Sequence, residues 1–433
     1  MWHGSAWHGS VRLGEREVAL GLRLTPGGGA QLWLPDQGLR GTAAPLQQEA
    51  NGALRVEVSS WLGRPTLTLQ APQAGGVRQA TFTQGSFRTP LTLWPGALVL
   101  PPRPQEPAAP LPYPAREVTV LGAGGTPLRG TLTLPAQRGG PVPAVLLVSG
   151  SGPQDRDSSL SGHRPFLVLA DALTRAGFAV LRLDDRGVGR SGGDLYRTPY
   201  RDLSLDLQAG VAFLRGLGTV DAARVGLIGH SEGGLLVLQA AQELTPPPAF
   251  MVLLATPAVP GREVLRVQLQ DQLRARGKPP AEIATQTRLQ ALALSGEDAG
   301  HYAAAAQATS GRESPPSGSE IEQAWLYAQP FARSPYLQDF LAYDPRPALR
   351  ATHMPTLAIF GGLDRQVPRA AGAGPMRDLL RCQGCEVREI AGLNHLLQPA
   401  QSGLPEEYAS IPTTLDPRAL DLLVRWLREA AHP

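Results

Sequence analysis

Hydrophobic and polar residues alternate with a period of two through residues 1–94. Every second side chain of a β-strand lies on the same face of its sheet, so this alternation predicts half-buried strands. Turn signals separate the runs at Gly27-Gly28-Gly29, Asn51-Gly52 and Gly75-Gly76. Several short strands with regular turns favour an N-terminal β-rich domain over residues 1–94, folded as a small antiparallel barrel or sandwich.

A proline-rich stretch follows at residues 95–115. Proline lacks a backbone N–H, so this stretch suits neither helix nor sheet and is predicted to be an extended linker of moderate stiffness. After it, apolar triplets at 118–120 and 132–134 flank Gly124-Gly125, which predicts a β-hairpin.

The pattern changes in residues 116–260, where continuous apolar runs alternate with helical patterns. Strands are predicted at 144–148, 179–183, 225–228 and 250–254, and helices at 165–176, 203–217 and 235–243. Continuous apolar strands joined by helices are typical of a parallel sheet covered on both faces. This region is therefore predicted to be the first part of a doubly wound α/β core.

The strand rhythm stops over residues 261–350, which are rich in Gln, Ala, Leu and Arg. Helices are predicted at 263–276, 281–294 and 321–328, with a polar break at 311–319. An insertion of this size between two strands is expected to form a helical cap over their carboxyl ends. The core resumes in residues 351–433, with strands predicted at 356–360 and 386–390 and an amphipathic helix at 417–430.

Composition adds few constraints. The net charge is +3 with 18% charged residues, which points to no nucleic-acid or membrane partner. The N-terminus lacks a basic region followed by an apolar core, and no run of about 18 apolar residues occurs. We therefore expect a cytoplasmic protein without a membrane span, with export left open. Cys382 and Cys385 lack two further zinc ligands in a convincing pattern and are interpreted as a local structural pair, with a redox role as the alternative.

The apolar run 225–228 leads into Gly229-His230-Ser231-Glu232-Gly233, and a helical pattern follows at once. Strand, tight turn and helix are the context required of a Gly-x-Ser-x-Gly nucleophile elbow. The two glycines leave room where neighbouring backbone comes close. Ser231 is therefore the predicted nucleophile, above a helix N-terminus that favours a developing anion; an ordinary structural turn is the alternative.

A serine hydroxyl needs an imidazole to take its proton, and the imidazole needs a carboxylate to fix its tautomer. On a doubly wound sheet these residues follow the order Ser, acid, His. Asp364 follows the strand at 356–360 and His395 follows the next strand, so both are predicted to complete a triad with Ser231. His230 is expected to pack beside the elbow, and the Asp184-Asp185 pair could act only as a migrated acid.

An oxyanion needs two backbone N–H donors. One is predicted from Glu232, directly after the nucleophile. The other is predicted from the loop after the first core parallel strand, with Ser151 preferred and Gly152 second. Arg156 and Arg186 each follow an aspartate nearby and are interpreted as loop braces, with binding of a substrate carboxylate as the alternative.

Several motifs resemble a bacterial branch of the α/β-hydrolase esterases. They are Ser149-Gly150-Ser151-Gly152-Pro153-Gln154-Asp155-Arg156-Asp157, Asp184-Asp185-Arg186-Gly187-Val188-Gly189, Gly229-His230-Ser231-Glu232-Gly233-Gly234, Tyr343-Asp344-Pro345-Arg346-Pro347, Asp364-Arg365-Gln366-Val367-Pro368 and Gly392-Leu393-Asn394-His395. The N-terminal domain is similar to a β-rich domain often attached to such enzymes, through Pro35-Asp36-Gln37-Gly38 and Thr81-Phe82-Thr83-Gln84-Gly85. The resemblance implies a Ser–His–Asp carboxylesterase with a helical cap and gives Ser231, Asp364 and His395 the roles derived above.

These observations predict hydrolysis of a small-molecule carboxylic ester through an acyl-enzyme, with no metal or organic cofactor. A homo-oligomer is left open. A serine peptidase is the first alternative, although the sequence offers no paired-Glu motif for a substrate amine beyond Glu320 and Glu322. A thioesterase is the second. The alternative outside enzymes is a catalytically silent carbohydrate or peptide binder with the β-domain as the working part.

Overall fold

A computed structural model describes residues 6–13, 16–35, 39–58, 64–84, 87–100, 103–136, 139–295 and 332–431. The chain divides into two compact units. The first comprises Met1–Pro102 with Ser159–His163, and the second comprises Arg103–Ser158 with Arg164–Pro433. The motif residues 36–38 and 85, the polar break at 311–319, Glu320, Glu322 and the helix predicted at 321–328 lie outside the described residues.

The first unit contains a closed barrel of eight antiparallel strands, in which each strand pairs with the next and β8 pairs with β1. The strands are β1 (Ala6–Leu13), β2 (Arg16–Thr25), β3 (Gly29–Leu34), β4 (Leu39–Gln48), β5 (Leu54–Glu57), β6 (Thr66–Leu69), β7 (Arg78–Gln84) and β8 (Phe87–Pro95). Alternate leucine, valine and phenylalanine side chains fill the interior. The barrel prediction is confirmed, and closure removes the open strand edges that a sandwich would leave.

Residues 103–114, within the stretch predicted to be a linker, belong to the second unit and contact its C-terminal part through side chains. The Arg103 guanidinium donates to the Ile411 carbonyl oxygen at 2.7 Å. The Gln105 side chain donates to the Leu415 carbonyl oxygen at 2.7 Å and accepts from the backbone N–H groups of Thr414 and Leu415. Because prolines remove backbone donors from this stretch, side chains supply the contacts that fix it.

The second unit is built on an eight-stranded sheet in the order β16-β15-β14-β13-β11-β12-β10-β9. Its strands are β9 (Ala115–Leu121), β10 (Pro127–Thr133), β11 (Val142–Val148), β12 (Ala179–Leu183), β13 (Val220–His230), β14 (Met251–Leu254), β15 (Thr356–Gly361) and β16 (Cys385–Ile390). The predicted hairpin is the antiparallel pair β9–β10, and β11 to β16 are parallel. After β11 the chain passes to β12 on one side and then to β13 on the other. The loops after β11 and β13 therefore diverge at a switch point, where sites on such sheets assemble.

Helices cover both faces of this sheet. The described α-helices of the second unit are α1 (Pro165–Arg175), α2 (Tyr200–Arg215), α3 (Glu232–Glu243), α4 (Gly261–Ala275), α5 (Pro280–Ser295), α6 (Pro335–Ala342), α7 (Arg346–Ala351), α8 (Ala373–Leu379) and α9 (Pro417–Ala430). Apolar residues of α2, α3, α6, α7 and α8 pack in one core cluster, and those of α1 and α9 pack in the other. The doubly wound fold is confirmed; α6, α7 and α8 were not predicted.

Two smaller features complete the fold. Cys382 and Cys385 are joined by a disulfide at the start of β16, with their Cα atoms 5.2 Å apart. This agrees with a local structural pair, and the redox alternative stays a prediction. Within the described ranges, no helix combines the length and the apolar character needed to cross a membrane.

Candidate active site

The turn between β13 and α3 places Ser231 in a strained backbone conformation. Its φ of 53° and ψ of −123° lie in a region that residues with a side chain rarely adopt. The Ser231 N–H donates to the Leu254 carbonyl oxygen at 2.7 Å, and the Ser231 carbonyl oxygen accepts from the Gly234 N–H at 3.0 Å. Since such strain persists only where the surroundings enforce it, it marks Ser231 as a candidate functional residue.

The elbow glycines are required by close backbone approach, as the sequence predicts. A Cβ on Gly233 would lie 2.2 Å from the Ser149 carbonyl oxygen, and a Cβ on Gly229 would lie 2.5 Å from the Gly234 nitrogen. Both contacts are with backbone atoms, which cannot swing aside. The absence of side chains therefore brings α3 close to the end of β11 and sets Ser231 beside the loop that follows it.

Asp364 and His395 meet at the carboxyl edge of the sheet, as predicted. His395 Nδ1 and Asp364 Oδ2 are hydrogen-bonded at 2.8 Å, and both residues are buried. The other carboxylate oxygen, Oδ1, accepts from the N–H groups of Gln366 at 2.8 Å and Val367 at 2.7 Å. A carboxylate with both oxygens engaged can fix the tautomer of the imidazole, leaving Nε2 as the ring nitrogen that can accept a proton.

The loop that carries His395 is organised by a buried amide. The Asn394 Oδ1 accepts from the N–H groups of Leu396 and Gln398, each at 3.0 Å, and its Nδ2 donates to the Gln398 Oε1 at 3.0 Å. These bonds hold the turn around His395 from both sides. The imidazole is thereby positioned by its neighbours in the chain as well as by Asp364.

His230 packs against His395, a contact that the sequence does not predict. The ring centroids are 4.9 Å apart, and His230 Nε2 lies 3.1 Å from the His395 carbonyl oxygen. A carbonyl oxygen only accepts, so His230 Nε2 carries the proton. Burial lowers the pKa of His230 to about 3, so this ring stays neutral near neutral pH. It therefore adds a hydrogen bond and no charge beside His395.

His230, which contacts His395, directly precedes Ser231 in the chain. Among the described residues, however, no hydrogen bond joins the Ser231 hydroxyl to His395, in contrast to the bond between His395 and Asp364. Such contacts are often long in ligand-free proteins and shorten when substrate is bound.

The loop at residues 149–154, directly after β11, approaches the elbow. A Cβ on Gly150 would lie 3.3 Å from the Ser231 Cβ. Asp185 holds the two ends of this loop, because its carboxylate accepts from the Ser149 hydroxyl at 2.9 Å and from the Gln154 N–H at 2.8 Å. Burial raises the pKa of Asp185 to about 7. The loop is therefore fastened at its base beside the candidate nucleophile.

The buried Glu232 side chain lies under the middle of the same loop. Its carboxylate accepts hydrogen bonds from the hydroxyls of Tyr200 and Tyr336, the latter at 2.7 Å. The Tyr336 hydroxyl in turn accepts from the Gly152 N–H at 2.9 Å. Burial and the neighbouring carboxylate raise the pKa of Tyr336, so its hydroxyl stays protonated and able to donate. The Gly152 N–H, the second choice for an oxyanion donor, is thus already engaged.

With this geometry established, comparison with known proteins identifies the family. Residues 143–399 match the family described as the alpha/beta hydrolase fold. The chain belongs to the α/β-hydrolase fold family.

Individual relatives of this α/β-hydrolase include Esterase EstD of Thermotoga maritima, which is 27% identical over 316 residues that cover 73% of this chain and 68% of EstD. Solved structures similar to it include the Pyrococcus furiosus esterase PF2001, with 16% identity, a TM-score of 0.47 and coverage of 77% of this chain and 98% of that one. A Mycobacterium smegmatis proline iminopeptidase shows 16% identity, a TM-score of 0.47 and coverage of 73% and 99%. The family match and EstD confirm the predicted α/β-hydrolase related to esterases.

The two arginines of the polar loops brace this α/β-hydrolase. Arg156 donates from Nε and Nη2 to the two carboxylate oxygens of Asp184, at 3.0 and 2.8 Å. Arg186 pairs in the same two-pronged way with the buried Asp206, at 2.6 and 2.7 Å. Because both guanidinium groups already face a carboxylate, the bracing interpretation is confirmed over the binding of a substrate carboxylate.

A pocket of about 640 Å³, including the part open to solvent, lies beside the 149–154 loop. Gly150, Gly152 and Glu232 form its wall next to the elbow. Much of the remaining wall is leucine, namely Leu146, Leu195, Leu203, Leu207 and Leu236. The α/β-hydrolase therefore offers a space lined largely by apolar side chains beside the 149–154 loop and Glu232.

Sequence reasoning missed the residues that fasten the site. Asp185 stands in a motif that was noted, but its position suggested only a migrated acid. Asn394 directly precedes the candidate histidine, but nothing else in the sequence indicates that its side chain organises the loop. Tyr200 and Tyr336 belong to helices distant in sequence from the elbow, and nothing in their local pattern distinguishes them from core tyrosines.

Proposed function

We propose that this α/β-hydrolase is a serine carboxylesterase with Ser231 as nucleophile, His395 as general base and acid, and Asp364 as the residue that orients His395. The hydrogen bond between His395 Nδ1 and Asp364 Oδ2, at 2.8 Å, is the observation that carries the proposal. It supports a base whose second ring nitrogen is unprotonated, at the sheet edge where the strained Ser231 turn also lies.

The reaction follows from these positions. The Ser231 Oγ attacks the ester carbonyl carbon while its proton passes to His395 Nε2. The tetrahedral intermediate then expels the alcohol, which takes the proton from Nε2 and leaves an acyl-enzyme. Water attacks the acyl carbon with His395 again as base, and the acid product and free Ser231 are released.

The oxyanion of the tetrahedral intermediate would accept from the backbone N–H groups of Glu232 and Ser151. Glu232 opens α3, so its N–H has no partner within that helix and points out of its N-terminus. Ser151 lies in the loop that meets Ser231 through Gly150. Gly152 is left out of the proposal because its N–H is donated to Tyr336.

One observation favours an ester over an amide or a thioester, and a second concerns the polarity of the group that is bound. The relative EstD, which is 27% identical over 316 residues, is named as an esterase. The pocket beside the 149–154 loop is lined largely by leucine, which suits an apolar acyl or alcohol group. Neither feature selects a particular acid or alcohol.

Hydrolysis of p-nitrophenyl esters across acyl lengths tests the proposal. Ser231→Ala should lower kcat by about 10⁴-fold or more. Ser410→Ala removes an exposed hydroxyl elsewhere and should match wild type. An active Ser231→Ala variant would exclude the mechanism. Faster turnover of an aminoacyl anilide or an acyl-thioester than of every ester would favour the peptidase or the thioesterase instead.

A further inference from the structure

We infer that Tyr336 and the Glu232 side chain position the 149–154 loop, so that its Ser151 N–H is held at a fixed distance from the Glu232 N–H. This rests on the proposed function, in which those two N–H groups receive the oxyanion. Neither side chain touches the reacting atoms, so both are positioning residues.

Glu232 connects the two donors through Tyr336. It supplies one N–H from its own backbone, and its carboxylate accepts from the Tyr336 hydroxyl, which accepts from the N–H of Gly152, next to Ser151. The spacing between the donors is therefore set through this pair of side chains. With only 3% of its surface exposed, Glu232 has little room to relax away from that contact.

Tyr336 anchors the loop at Gly152, the residue after Ser151. Its hydroxyl accepts from the Gly152 N–H at 2.9 Å and donates to the Glu232 Oε2 at 2.7 Å. Gly152 has a φ of 79°, in the left-handed region that glycine tolerates. A glycine-rich loop has many accessible conformations, so a bond that fixes the Ser151–Gly152 peptide also restricts the adjoining peptide, which carries the Ser151 N–H.

Tyr200 provides a matched contrast. It also donates to the Glu232 carboxylate and is as buried as Tyr336, at 3% against 4% exposed. The ring centroids of the two tyrosines are 6.1 Å apart, so they share one apolar environment. Only Tyr336 bonds the 149–154 loop itself. A comparison of the two Tyr→Phe variants separates positioning of the loop from general support of the buried carboxylate.

The expected effect is on kcat. Deleting one oxyanion donor costs about 10²–10³-fold in kcat. Displacing a donor should cost less, so we expect Tyr336→Phe to lower kcat by about 10- to 100-fold. KM should stay within about threefold, because an interaction that forms only in the transition state does not affect substrate binding. Tyr200→Phe should lower kcat by less than about threefold, on the same scale.

The experiment measures kcat and KM of p-nitrophenyl ester hydrolysis for wild type, Tyr336→Phe, Tyr200→Phe, Glu232→Gln and the Glu232→Gln/Tyr336→Phe double variant, with thermal unfolding of each. Glu232→Gln keeps the volume but turns one acceptor into a donor, so it should lower kcat as Tyr336→Phe does. The double variant should lose less than the product of the single losses, because both act through one contact.

Equal kcat losses in the two tyrosine variants, or a lower melting temperature in Tyr336→Phe with unchanged kcat, would overturn the inference. Should Tyr336→Phe fail to fold, Glu232→Gln decides, and a wild-type kcat there overturns it equally. An inactive wild type or an active Ser231→Ala variant signals instead that the proposed function has failed.

Discussion

Replacing Asp364 by asparagine should reverse the tautomer of His395. Asp364 Oδ1 accepts from the N–H groups of Gln366 and Val367, so an asparagine must keep its carbonyl oxygen there. Its amide NH₂ then faces His395 Nδ1, which can only accept. The neutral ring must carry its proton on Nε2, the nitrogen that should receive the proton of Ser231.

The expected loss of kcat follows from the proton on Nε2 of His395. In a Ser–His–Asp triad, the equivalent change lowers kcat by about 10⁴-fold, which corresponds to about 5.5 kcal/mol of transition-state stabilisation. The two backbone hydrogen bonds persist in the variant, so the free energy of unfolding should change by no more than about 2 kcal/mol. A large loss of turnover with a modest loss of stability is the expected combination.

The assay is the steady-state hydrolysis of a p-nitrophenyl ester at pH 7.5–8, paired with urea unfolding. Asp378→Asn is a matched control, because Asp378 is exposed and forms a long ion pair with Arg381, at 3.9 Å. It should leave kcat unchanged. If Asp364→Asn keeps kcat within about tenfold of wild type, the tautomer argument of the Ser–His–Asp triad does not apply here and another acid orients His395.

Two further predictions concern the supports of the site. Gly233→Ala would place a Cβ 2.2 Å from the Ser149 carbonyl oxygen, so the free energy of unfolding in urea should fall by about 2 kcal/mol or more. In the control Gly218→Ala, the new Cβ would meet no atom within 4 Å, and the free energy of unfolding should fall by less than about 1 kcal/mol. Equal losses in the two variants would contradict the clash. Asp185 has its folded-state pKa raised to about 7, so its contribution to stability is full below pH 4 and is lost as the pH rises through 7. The unfolding free energy of wild type relative to Asp185→Asn should therefore fall by about 2–3 kcal/mol between pH 5 and pH 8, and a constant difference would refute the shift.

The sequence predicted the fold where the chain's periodicity is unbroken. The predicted strand at 179–183 coincides with β12, and the predicted helix at 417–430 coincides with α9. In α9 an N-capping Asp416 and a proline at the first turn mark the start, while its amphipathic pattern marks the length. Predictions were less accurate where polar residues join an element: β13 begins at Val220, which pairs with Val142, but an irregularity separates this pair from the regular pairing that starts at Val225 with the apolar run.

Short elements escaped detection for a related reason. Helix α6 has only eight residues, too few for a helical period to stand out, although Ser334 caps it and Pro335 opens it. The prolines of residues 95–115 exclude regular structure and therefore predict a linker. Composition does not reveal that Arg103 and Gln105 find carbonyl acceptors about 310 residues away.

The candidate triad was accessible from the sequence because each member follows a strand at a recognisable distance. Its supports were not, because their partners are set by tertiary structure. Glu232 meets Tyr200 from 32 residues away and Tyr336 from 104 residues away. A buried carboxylate must find donors, so Glu232 itself could have prompted a search, but local sequence does not say which tyrosines supply them.

The loops of the candidate site and the helix that supports one of them lie in different parts of the chain. The 149–154 loop, the elbow and the loops carrying Asp364 and His395 follow four parallel strands, whose pairing in one sheet fixes their relative positions. Tyr336 does not belong to that set, because it lies on α6, inside the segment 261–350, and not in a loop that follows one of these strands. Through Gly152 and Glu232 it nevertheless contacts the loop that would hold the oxyanion. Changes in the insertion that shift α6 by a fraction of an ångström should therefore alter turnover while leaving the Asp364–His395 hydrogen bond intact.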